Sequence, residues 1–228
     1  MFYCKVKFIQ IAKNSLKPYF FVLFALFISA HAHAIKKSNW YEYHPFLSGG
    51  FKFNEYKICN EIIQKCPIES ESPFKDKECV EKYLNKIKEC EQTKRLLTLK
   101  DFSYDSLKVK SFGKFTLIDF VSLGDGMDSY YIISPAGYLV ETAVNPLDFN
   151  KKLQSHHTLN SNLVLDFEEP VMQSNKNGKK VFTSILSMRN CVACETNLCA
   201  KVQFHFSSPG IPLSIQAQES NQSCIVHD

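Results

Sequence analysis

The chain has 228 residues, 45% of them apolar, with 27 basic and 23 acidic side chains. Four of the lysines, Lys5, Lys7, Lys13 and Lys17, lie in the first 34 residues, which hold no acidic residue, so the rest is balanced at 23 against 23. A balanced body argues against a polyanion binder, which gains affinity by releasing counterions to a basic surface, and nucleic acid is not an expected partner.

The basic start runs into an apolar stretch, Tyr19 to Ala30, that ends in Ala32-His33-Ala34. A positive stretch, a short apolar stretch and small residues at the two positions a signal peptidase reads predict a cleaved signal, residues 1–34, and a mature start at Ile35. About a dozen apolar residues fall short of a bilayer span. No cysteine follows the stretch to carry a lipid, so the expected destination is the periplasm or the secreted space, with no stable span after cleavage. The mature part is long enough for one domain, or a small domain plus a larger one, around a real core.

Residues 35–50 form an aromatic-rich strap with Trp40, Tyr41, Tyr43 and Phe46, interrupted by Pro45 and Gly49-Gly50. An aromatic arm could recognise a partner, but rings bring much apolar area, and the expectation is a strap packed on its own domain.

Residues 51–98 read as a helical hairpin. Phe53, Tyr56, Cys59, Ile62, Ile63 and Cys66 fall at helical spacing before Pro67. A second, longer helix is expected from Ser72-Pro73, with Cys79, Val80, Tyr83, Leu84, Ile87 and Cys90 on one stripe. Separations of seven and eleven both return to the same helical face. The four cysteines therefore face inward, and antiparallel pairing nests Cys66–Cys79 inside Cys59–Cys90. Seven residues rise about 10 Å and eleven about 16 Å, so one arm must bend, and Pro67 is the expected place.

Residues 99–228 read as a β-rich domain. Strands are expected near 107–110, 115–122, 129–134, 138–144, 163–167, 180–188, 200–206 and 213–217, with turns at Ser134-Pro135-Ala136-Gly137 and Asn177-Gly178. The polar stretch 145–162 holds a helical turn. The predicted fold class is α+β: a disulfide-stapled helical hairpin, then a mainly antiparallel meander as a curled sheet or small barrel.

Eight of the nine cysteines follow residue 34. In an exported chain an even set reads as disulfides. The second four, Cys191, Cys194, Cys199 and Cys224, admit three connectivities. Cys191–Cys199 with Cys194–Cys224 is favoured, since the first bond would close the neck between two strands, with Cys194–Cys199 a close alternative.

Cys191-Val192-Ala193-Cys194 resembles the motif of thioredoxin-like oxidoreductases, which need the first thiol at a helix N-terminus. The resemblance stops at these four residues, with no tryptophan before them and too little chain after them for that fold. Glu195 stands where c-type haem attachment needs histidine. Four thiolates here, with His205 or His227 as a substitute, could hold zinc or copper, but the compartment favours disulfides.

Other candidates have plainer readings. His205 falls on the polar face of its strand and is expected at the surface. His156-His157 read as a polar loop. Asp166 and Glu168 share a strand face and read as a solvated edge rather than an acid–base pair. The Asp125 and Asp128 loop, 123–128, fits a turn better than a calcium loop. No catalytic, cofactor-binding or metal-binding residue is expected. The sequence points to an exported, disulfide-stabilised binding or interaction module with a protein partner and leaves its oligomeric state open. The competing function is an envelope thiol oxidoreductase or metal-binding protein using Cys191 and Cys194.

Overall fold

The computed structural model describes residues 40–69, 74–100, 104, 107–120, 129–155, 164–174, 178–190, 196, 198–220 and 224. The expected signal lies outside them, as do Cys191, Cys194, His156, His157, His227 and the 123–128 loop. Among the described residues the architecture is α+β, with four helices and ten strands in two open sheets.

The first sheet is built from β1 (Tyr41–Ser48), β2 (Leu107–Phe112), β3 (Phe115–Phe120), β4 (Ser129–Ile133) and β5 (Ala136–Glu141). Strands β2 to β5 form an antiparallel meander, and β1 pairs with β5 to give the order β1-β5-β4-β3-β2. The aromatic segment is thus an edge strand. Its register slips between Tyr43 and Ser48, where Pro45 has no N–H to give a ladder.

The second sheet contains β6 (Val164–Phe167), β7 (Val171–Ser174), β8 (Lys180–Arg189), β9 (Leu198–Phe206) and β10 (Pro212–Glu219). Strands β8, β9 and β10 lie side by side, and β6 and β7 both pair with β8. Strand β9 alternates strictly between buried and half-buried residues, the signature of a sheet with one face on the core. The short, largely exposed β7 was not expected from the sequence.

The two sheets meet through aromatic rings. Phe115 lies 5.1 Å from Phe206 and 5.5 Å from Phe182, centroid to centroid, and Trp40 lies 6.4 Å from Phe204. At one end Gly210, at φ +93°, lies so close to the Pro135 ring that a Cβ would approach its Cδ to 2.7 Å. Any side chain there would meet both backbone strain and a ring.

The other face of the first sheet carries Ile118, Phe120, Tyr131, Ile133 and Leu139 against the helical layer. That layer holds α1 (Phe53–Ile63), α2 (Lys77–Lys86), a 3₁₀ turn (Lys88–Cys90) and α3 (Glu91–Lys100). After α1 ends, the Lys75 ammonium donates to the carbonyls of Gln64 at 2.9 Å and Cys66 at 3.1 Å, a cation where the helix dipole is negative. Helix α2 starts at Lys77, with the Asp76 carboxylate accepting from the Cys79 N–H at 2.7 Å. The expected start at Ser72-Pro73 is corrected, because Phe74 to Asp76 are not helical and Asp76 supplies the cap.

Cys59–Cys90 and Cys66–Cys79 are both bonded, with Cα separations of 5.1 and 5.7 Å. Both arms depart from a straight helix: the first ends at Ile63, so Cys66 lies in a turn just before Pro67, and the second breaks at Ile87. Ile87 is extended, at φ −102° and ψ +123°, so the expected long helix is three pieces. Both bonds close around these breaks.

Candidate functional site

The outer face of the second sheet, away from the phenylalanine core, gathers most of the chemistry-bearing residues. Antiparallel pairing sets Asp166 of β6 opposite Ser187 of β8, Ser187 opposite Cys199 of β9, and His205 opposite Val181 on one side and Ser214 on the other. The Asp166 carboxylate accepts from Ser187 Oγ at 3.1 Å and forms an ion pair with Arg189. Glu168 lies beyond β6, its N–H donating to the Ile185 carbonyl at 2.9 Å and its own carbonyl accepting from Ser184 at 2.6 Å. Asp166 is therefore engaged with a cation rather than placed as half of a carboxylate pair.

His205 is half-buried, and its Nε2 is closed off from solvent without a hydrogen-bond partner among the described residues. The alternation along β9 put it on the correct face but overstated its exposure, because Val181 and Ser214 flank it on the neighbouring strands.

Cys199 is bonded to Cys224, their Cα atoms 5.7 Å apart. This corrects the favoured pairing of Cys191 with Cys199 and Cys194 with Cys224. The reason lies in the β9–β10 hairpin, whose register brings Glu219 opposite Ala200 and lets the Ser220 N–H donate to the Cys199 carbonyl at 2.8 Å. The chain after β10 therefore arrives beside Cys199, within reach of a cysteine four residues later. A sequence reading could have found this by aligning the two strands across the Ser207–Gly210 turn. The bond also removes two of the four thiolates that a zinc or copper site would need. Among the described residues no group of three or more His, Cys, Asp and Glu side chains could hold a metal ion.

A second cluster sits on the helix-facing side of the first sheet. Tyr131 of β4 is buried beside Phe120, with ring centroids 5.5 Å apart, and opposite Glu141 of β5. Burial, followed by the negative charges of Glu141 and Glu42, pushes its phenol up to about 12. His44 Nε2 lies 3.1 Å from a Glu42 oxygen. A phenol shifted in this direction keeps its proton at neutral pH and does not serve as a base there. The cluster has two carboxylates, an imidazole and a protonated phenol.

Gln92 is a polar anchor that sequence reading missed. It is buried, its amide nitrogen donating to the carbonyls of Phe46 at 2.9 Å and Gly50 at 3.3 Å, while Oε1 accepts from the Lys52 N–H at 2.7 Å. It ties α3 to the end of β1 and the start of α1. A glutamine among charged residues gives no signal of this.

No protein-family model, curated protein or solved structure matches the chain. Among the described residues no helix is long and apolar enough to cross a membrane.

Proposed function

We propose that the protein is an exported, disulfide-stabilised module of the cell envelope or secreted space that works by binding a protein partner rather than by catalysis. The observation that carries this reading is the use made of reactive side chains. Among the described residues six cysteines are joined in three disulfides, the Asp166 carboxylate is held by Arg189 and Ser187, and burial pushes the Tyr131 phenol up to about 12. Each of these groups serves the fold. Disulfides of this density persist in oxidising compartments.

A second reading, a thiol oxidoreductase, is favoured by one observation. The Cys199–Cys224 bond rules out the connectivity in which Cys191 and Cys194 were tied to those two cysteines.

One experiment separates the readings. The full chain is expressed in a host with an export pathway, recovered from the exported fraction with a start at Ile35, and assayed for dithiol-driven reduction of insulin beside Cys191→Ser. The binding reading expects both proteins at the uncatalysed rate. Turnover that the substitution abolishes would overturn it in favour of the oxidoreductase, and retention in the cytoplasm with reduced thiols would overturn both.

A further inference from the structure

The three disulfides among the described residues differ in the surroundings of their sulfurs. Cys59 and Cys90 are both fully buried. Cys66 is buried and Cys79 partly exposed, with the Asp76 carboxylate at the N–H of Cys79 and the Lys75 ammonium on the Cys66 carbonyl, so one sulfur is closed off and the local charges oppose each other. Cys199 and Cys224 are both partly exposed. Their two sulfurs are also unlike each other. The Cys224 N–H donates to Cys199 Sγ at 3.0 Å, whereas Cys224 Sγ lies 3.8 Å from the Leu186 carbonyl oxygen.

We propose that Cys199–Cys224 is a redox-labile modification site, opened by low-molecular-weight thiols through attack on Cys224. The nucleophile in disulfide exchange is a thiolate, and the better leaving group is the sulfur that bears negative charge more easily. A donated N–H stabilises charge on Cys199, while the carbonyl oxygen beside Cys224 disfavours it there. The incoming thiolate forms a bond to Cys224 Sγ as the Cys199–Cys224 bond breaks, and the electron pair leaves on Cys199. A second thiolate attacks the mixed disulfide and departs as the oxidised small-molecule disulfide, leaving Cys224 reduced. The donor loses two electrons, and the two protein sulfurs gain them and take up protons as their basicity dictates. The two helical disulfides stay closed, so Cys224 is untied from β9 while the stapled layer keeps its covalent frame.

The test is a timed reaction of the intact exported protein with glutathione, quenched by acid, alkylated and mapped by peptide mass spectrometry. Cys199–Cys224 is expected to open at least about tenfold faster than Cys66–Cys79, with Cys59–Cys90 slowest, and the early glutathione adduct to sit on Cys224. Helical disulfides opening as fast or faster, or an adduct mainly on Cys199, would overturn the proposal. The reaction is repeated on the Cys191→Ser/Cys194→Ser double variant. The same order must persist there, because its loss would mean that opening came from internal exchange and not from the external thiol.

Discussion

One face of the first sheet meets the second sheet through packed rings, while its other face meets a helical layer held by covalent bonds. On the first side Phe182, Phe204 and Phe206 are fully buried within long ladders, β8 of ten residues and β9 of nine. On the second side α1, α2 and α3 have eleven, ten and ten residues, lengths at which an isolated helix is marginal in water. Two disulfides, the Asp76 cap, the Lys75 cation and the Gln92 amide all fall in this layer. Where apolar area is ample, packing suffices. Where helices are short and their outer faces charged, local constraints on the backbone replace it.

The largest expected effect comes from breaking the packed side. Phe206→Ala removes a fully buried ring that touches Phe115 and Phe182 and is expected to cost about 3–5 kcal/mol in urea unfolding, since ladders on both sides limit collapse into the space. A loss below about 1 kcal/mol would show that the two sheets do not depend on this ring cluster.

Next comes the covalent side. Cys59–Cys90 spans a sequence separation of 31, and replacing both cysteines with alanine is expected to cost about 3–4 kcal/mol, the loop-closure entropy restored to the unfolded chain. Hydrogen exchange should then rise first in α1 and the 88–90 turn, with β8 and β9 still protected. Equal loss of protection in both sheets would erase the distinction between the two sides.

The packed side was the more legible in sequence, because alternation fixes which β9 side chains face the core irrespective of their neighbours. The cysteine phase of the helices was legible for a similar reason, as separations of seven and eleven return to one face. The break at Ile87 was not, because its apolar stripe continues unbroken and only the joint closure of two disulfides argues against a straight helix. Strand β7 was hidden because Val171 to Ser174 carries no buried alternation of its own and is recruited by β8. Cys199–Cys224 was missed because it depends on hairpin register, a non-local property. Gln92 was missed because its three backbone partners come together only after β1 and α1 are placed.

The smallest expected effect concerns the boundary of the helical side, where burial and charge meet at Tyr131. Its pKa is raised from an ordinary 10.0 to about 12, so the folded state holds the phenol proton more tightly than the unfolded chain. The resulting stability is fully present below pH 10.0 and is lost as pH rises towards about 12. Tyr131→Phe removes that titration while keeping the ring against Phe120. Other groups also titrate in this range, so the informative quantity is the difference between the two proteins in urea unfolding at successive pH values. That difference is expected to shift in favour of the variant above pH 10.0 and to stay flat below it. A difference that remained flat through pH 12 would mean that neither burial nor the charges of Glu141 and Glu42 act on this phenol.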